Sequence, residues 1–238
     1  MSVEELEARV KELEEQVKVL KPLKDIEEIQ RLQRAYGFYL EHWMANEVID
    51  CFSDSPDTML SLYEGTWLGK DGIRRYFNPD RIISPEFLHQ VMQVSPIVTV
   101  EPDGMTARGR WYSWGAVAVD MENGVRQFFM GGIYECEYVK ENNKWKILKL
   151  KYNLTLAAPP NQGWVHPKRV AKPDAVRQQR TDAESMKPDI PPGGMDTLYP
   201  SGYIFPFHFT HPITEKETSE KKRNDSLEYI TNRFSRKE

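Results

Sequence analysis

From residue 87 to residue 156 the chain reads as four consecutive β-patterned segments, and this run limits the available folds more than any other feature. Segments 87–100, 105–120, 125–139 and 144–156 are rich in Val, Ile, Tyr, Phe and Trp, and the turn-forming stretches EPDG, MENG and ENNK separate them. Connections this short join antiparallel neighbours, so the run predicts an antiparallel meander. Helical patterns precede it. Helices followed by a meander is the order of an α+β domain whose curved sheet closes over its helices.

The first helical pattern places Val3, Leu6, Val10, Leu13, Val17 and Leu20 at alternating spacings of three and four, with Glu and Lys between them. This is a short heptad seam, with β-branched residues at one core position and leucine at the other. A seam of this length is marginal alone and is expected to pack on another subunit or on its own domain. Pro22 punctuates it, and Asp25 with Glu28 three residues later reads as a capping-box start to a second helix reaching about Phe52. Gly65, Gly69 and Gly72 bracket a loop and a short amphipathic piece, GKDGIRRYF. Beyond Leu156 the pattern stops, and ten of the sixteen prolines fall in residues 157–238. The expected organisation is therefore an amphipathic helix over 1–21, a domain over 22–156 and an extended tail over 157–238. The aromatic stretch YPSGYIFPFHFTHP is too apolar to leave in water, so residues 197–212 are expected to lie across the domain or a neighbouring subunit. SLEYITNRF could form a short helix before a disordered end.

Composition narrows the function. A net charge of -4 gives no sequence-independent attraction to phosphates, so nucleic acid is not an expected partner. Two cysteines, Cys51 and Cys136, form no CxxC pair and fit a reducing compartment. No run reaches the roughly 18 apolar residues that span a bilayer, and the N-terminus is charged, so a soluble cytoplasmic protein with no membrane partner is expected. GxSxG, HExxH, Walker and GxGxxG motifs are absent, and the pair His208 and His211 has no further ligands at metal spacing. No metal and no cofactor are expected.

The stretch YGFYLEHW sets Glu41 and His42 inside a run of aromatics. On a helix continuing to Phe52, Glu41 would share an apolar stripe with Gly37, Met44 and Val48, where an ionised carboxylate is costly unless paired. That setting suits a general acid or base, although a structural Glu at the rim has the same pattern. His89 alternates with Phe87 and Val91 on an apolar strand face, which suits either a core histidine or a catalytic one. Trp43, Tyr63, Arg110, Tyr112, Trp114, Phe129 and Tyr152 could line a pocket for a hydrophobic, ring-bearing ligand.

DIEEIQRLQRAYGFYLE, LYEGTWLGKDGIRRYF, LHQVMQVSPIVTVEPDGMTARGRWY and GGIYECEYVKENNKWKILKLKY together resemble the SnoaL-like branch of the NTF2-like superfamily over about residues 24–156. The resemblance implies a cone: a curved antiparallel sheet wrapped on helices around a deep pocket. It also implies cofactor-free acid/base chemistry on hydrophobic ring compounds, as in ketosteroid isomerase, scytalone dehydratase, bile acid 7α-dehydratase and diarylpropane formaldehyde lyases. Homo-oligomers, dimers or trimers, are usual, and some relatives are non-catalytic binding or assembly modules. Matched to bile acid 7α-dehydratase, the catalytic tyrosine, carboxylate and histidine fall on Tyr36, Glu41 and His89. The chain departs from that pattern at Gly115 and Leu154, where an aspartate and an arginine would stand. The function implied is a lyase that eliminates water or formaldehyde from a hydroxylated aromatic or polycyclic molecule, with a ketosteroid-isomerase-type isomerase or a non-catalytic ligand-binding or assembly module as the alternatives.

Overall fold

One helix, α1 (Val3–Glu41), spans 39 residues and carries the chain from its N-terminus into the core. The computed structural model describes residues 2–121, 124–161, 163–164, 186–192, 197 and 202–225. Ser2 caps α1, accepting from the Glu5 N–H while the Glu5 carboxylate accepts from the Ser2 N–H. The expected break at Pro22 does not occur. The helix passes through the proline on a turn exposed to solvent, where water can take the carbonyl bond that the ring forgoes. Asp25 is accordingly not a cap. It is a buried mid-helix residue that pairs with Lys140 and accepts a 3.0 Å hydrogen bond from Trp145 Nε1.

The helix also ends earlier than its apolar pattern suggests. Trp43 adopts φ 50°, and α2 (Ala45–Asp50) starts in a new direction. This break is driven by burial of the Trp43 ring, which packs edge-on to Phe87 at 5.6 Å and against Phe77 at 5.9 Å, under the Arg81 guanidinium.

The meander appears as expected: β3 (Leu88–Val100), β4 (Thr106–Met121), β5 (Gly124–Glu141) and β6 (Lys144–Ala158) are antiparallel neighbours. Two further strands, β1 (Met59–Leu62) and β2 (Gly65–Leu68), lie in what reads as a loop, followed by helix α3 (Gly69–Phe77) on the amphipathic piece. The sheet order is β2-β1-β6-β5-β4-β3, and β1 runs parallel to β6 with Met59 opposite Lys149. The curved, unclosed sheet is therefore mixed rather than wholly antiparallel. Strands of four residues are too short for an alternation to declare itself, which is why the sequence hides them.

The inner half of α1 crosses the concave face of this sheet. Ile29, Gln33, Tyr36 and Leu40, spaced by three and four, are buried there with Phe52, Phe77, Trp111, Tyr138, Ile147 and Leu150. The polar atoms buried beneath α1 at Gln33 are satisfied in series. Trp111 Nε1 donates to Tyr138 Oη at 3.0 Å, Tyr138 Oη donates to Gln33 Oε1 at 2.8 Å, and Gln33 Nε2 donates to Gln93 Oε1 on β3.

Two tail segments pack on the same domain. Ile190 pairs with Thr66 at the β2 edge, Met186 O accepts from Trp67 Nε1 at 3.0 Å, and Asp189 pairs with Arg75 at 2.6 Å. Further on, the Phe205 side chain is buried and its carbonyl accepts two 3.1 Å bonds from Arg110, whose guanidinium lies over the Phe207 ring. The described part of the aromatic stretch thus lies on its own domain. A last short helix, α4, spans Glu220–Asp225, and the SLEYITNRF segment lies outside the described residues.

Candidate active site

Between α1 and the concave face of the sheet is a cavity of about 90 Å³. α1 and the bend after it contribute Tyr36, Leu40 and Trp43, and the two-residue turn between β1 and β2 contributes Tyr63 and Glu64. α3 adds Tyr76 and Phe77, and the start of β3 adds Phe87 and His89. Val117, Val119, Phe128, Met130, Tyr134 and Tyr152 project from β4, β5 and β6. Strand alternation selects them: on β4 the odd positions from Trp111 to Val119 face inward.

The walls are apolar and aromatic, and the polar groups are few: one imidazole, one carboxyl and several phenols. Glu64 is only 6% exposed, and His89 is half-buried. Burial pushes the phenols of Tyr36 and Tyr134 well above their ordinary value, with neighbouring tyrosines and cysteines adding to it. Burial raises Tyr152 as well, partly offset by the 3.0 Å hydrogen bond that Ser113 Oγ donates to its hydroxyl. Each phenol therefore stays neutral at physiological pH and can serve as a hydrogen-bond donor but not as a base.

Of the residues expected from sequence, Tyr36, His89, Trp43, Tyr63 and Tyr152 line this cavity. Glu41 does not. It ends α1 at the rim, with its carboxylate facing the Gln90 amide at 3.4 Å on the edge strand β3. The space beside Gly37, one turn before Glu41, is taken by Gln93: a Cβ at Gly37 would stand 3.0 Å from Gln93 Nε2. His42, the C-cap of α1, is exposed.

Arg110, Tyr112, Trp114 and Phe129 are also elsewhere, because the even positions of β4 face outward, as does Phe129, which stands on β5 opposite Ala116. Arg110 is held by Glu135 at 3.1 Å and by the tail, Tyr112 is 61% exposed, and Trp114 stacks on Phe129 with ring centroids 6.4 Å apart. Leu154, where an arginine would stand, is buried. Gly115 has no room for a carboxylate, since a Cβ there would lie 1.9 Å from Gln90 O across the strand pair.

The residue that sequence reasoning missed is Glu64. Its signal was faint, a carboxylate between aromatics in LYEGTW, and the unread hairpin β1–β2 concealed that its turn points inward. Among the described residues no three His, Cys, Asp or Glu side chains cluster closely enough to hold a metal ion. No described helix is long and apolar enough to cross a membrane.

The SnoaL-like domain family model matches residues 21–151. No curated protein matches. Among solved structures, a candidate scytalone dehydratase from Novosphingobium aromaticivorans superposes with TM-score 0.51 at 16% identity, covering 64% of this chain and 93% of that one. The LinA-type3 hexachlorocyclohexane dehydrochlorinase from Novosphingobium barchaimii superposes with TM-score 0.50 at 16% identity, covering 60% and 94%. At such identity these likenesses speak for the NTF2-like fold alone.

Proposed function

Because the chain belongs to the SnoaL-like domain family, we propose that it is a cofactor-independent lyase acting on a hydrophobic, hydroxylated aromatic or polycyclic small molecule. The observation that carries this reading is the convergence of His89, Glu64 and Tyr36 on one apolar cavity. Dehydration and dehydrochlorination, the reactions for which the two structural neighbours are named, are eliminations, which take a base and a stabiliser of the leaving group, roles that these groups can fill.

In the proposed reaction, His89 removes a proton. In dehydration it comes from the carbon next to the leaving hydroxyl, the C–H electrons form the double bond, and the C–O bond breaks. In loss of formaldehyde the proton comes from a hydroxymethyl O–H, the C–C bond breaks, and its electrons form the double bond as hydroxide departs. In either case the imidazolium returns its proton to the leaving oxygen, so water is released and His89 is restored. Glu64 stabilises the imidazolium while it exists, and Tyr36, kept neutral by burial, donates to the leaving oxygen. The dry aromatic wall strengthens both interactions.

A cavity of about 90 Å³ is well below the roughly 300–1,000 Å³ of sites that enclose drug-sized ligands. A single-ring substrate therefore needs little rearrangement. A two-ring compound such as a lignin-derived diarylpropane requires the half-buried Phe87 and Phe128 to swing outward.

The test is a panel of hydroxylated one- and two-ring aromatics assayed for water elimination and for released formaldehyde. His89→Ala and Glu64→Gln are expected to lower turnover by about 10²–10⁴-fold, Tyr36→Phe to lower it less, and Glu41→Gln to leave it nearly unchanged. Full activity in His89→Ala would remove the basis of the assignment. Binding of panel members without turnover in the wild type would point instead to a non-catalytic ligand-binding module.

A further inference from the structure

We propose that the N-terminal half of α1 forms a parallel, in-register, two-stranded coiled coil with a second copy of this chain. From Ser2 to Lys24 every residue of this arm is exposed, so it projects about 30 Å with no cover from the described residues of its own domain. An isolated helix of this length is marginal in water, yet the arm is capped at its start and unbroken at Pro22. Its exposed apolar residues form a seam: Val3 (73% exposed), Leu6, Val10, Leu13, Val17 and Leu20 (59%). Such a surface calls for a partner of the same periodicity.

The side chains select the partner and its orientation. Valine occupies every a position and leucine every d position of this seam, the combination that favours two parallel strands over three or four. The flanking charges agree. In a parallel in-register pair, Arg9 at a g position lies beside Glu14 at the following e position of the other helix, and symmetry makes this contact twice. In the antiparallel alternative that stacks Val3 on Leu20, Glu7 faces Glu14 and repels it. In the single chain Arg9 turns instead to Glu12 on its own helix at 2.5 Å, an exposed contact that is readily exchanged.

The test uses the full chain. By light scattering the wild type should have a mass that is an even multiple of 27.8 kDa, and Leu6→Asp/Leu13→Asp should halve it without changing the domain's near-UV spectrum. A trimer, a monomer or a mass unaffected by the double substitution would overturn the proposal. Orientation is read from Val3→Cys under mild oxidation. The native thiols Cys51 and Cys136 are buried, and burial, with the nearby Asp50, pushes Cys51 up to about 12, so neither competes. Parallel pairing gives a covalent dimer; an antiparallel pair would hold the two residues over 20 Å apart by helical rise and give none. Arg9→Glu should weaken the assembly, and Arg9→Glu/Glu14→Arg should restore it. Equal weakening in the single and double variants would also count against this pairing.

Discussion

Asp25 shows how much one residue's meaning depends on what faces it. Burial alone would raise its carboxyl, but hydrogen bonds from Lys140 and Trp145 and the charges of Lys140 and Lys21 outweigh that and hold it below its ordinary 3.8. A carboxyl lowered in the folded state stabilises above its unfolded value, and that stability disappears as pH falls through the folded value. Asp25→Ala should cost about 3 kcal/mol at pH 7, because it strands the part-buried Lys140 without its partner. In urea unfolding the gap between variant and wild type should narrow below about pH 4. A gap that stays constant down to pH 3 would refute the pairing argument. Gly115 is a second case. Its missing Cβ admits the backbone of β3, so Gly115→Ala should unpair β3 from β4 and lower stability by about 3 kcal/mol or more, as read by thermal unfolding. Neither role is visible from residue type: Asp25 reads as a helix start, and Gly115 stands out only as a position where the bile acid 7α-dehydratase pattern has an aspartate.

At the scale of elements, α1 serves two purposes with one period. Its inner half uses the spacing of three and four to cover the sheet, and its outer half repeats that spacing with nothing beneath it. The pattern could be read from the sequence, but which partner each half meets could not. The heptad rows and the meander were legible because they are long enough to repeat. The hairpin β1–β2, with four residues in each strand, was not, and Glu64 was lost with it. The tail is held by a different kind of contact. Arg110 gathers the Phe205 and Pro206 carbonyls, the Phe207 ring and Glu135 around one guanidinium. Arg110→Ala should therefore loosen this segment and speed its cleavage in limited proteolysis while leaving the domain's melting temperature little changed. Cleavage at the wild-type rate would show that Arg110 does not anchor this segment.

Across the whole molecule, the sequence by itself determined the order of helices and meander, the SnoaL-like family, the heptad arm and the aromatic character of the cavity. The order, the arm and the aromatic character are properties of period and composition, which are local and survive any arrangement of the parts, whereas the family rests on the resemblance of whole motifs. Only the tertiary structure decided which groups share the cavity. Ending α1 at Glu41 so that Trp43 could enter the core kept that carboxylate out of the cavity, and adding the β1–β2 hairpin to the sheet edge beside β6 brought Glu64 inside. Side-chain direction on β4 then sent Arg110, Tyr112 and Trp114 to the outer face. A site is a meeting of distant segments, and the packing of large rings that fixes such a meeting leaves no period in the chain to read.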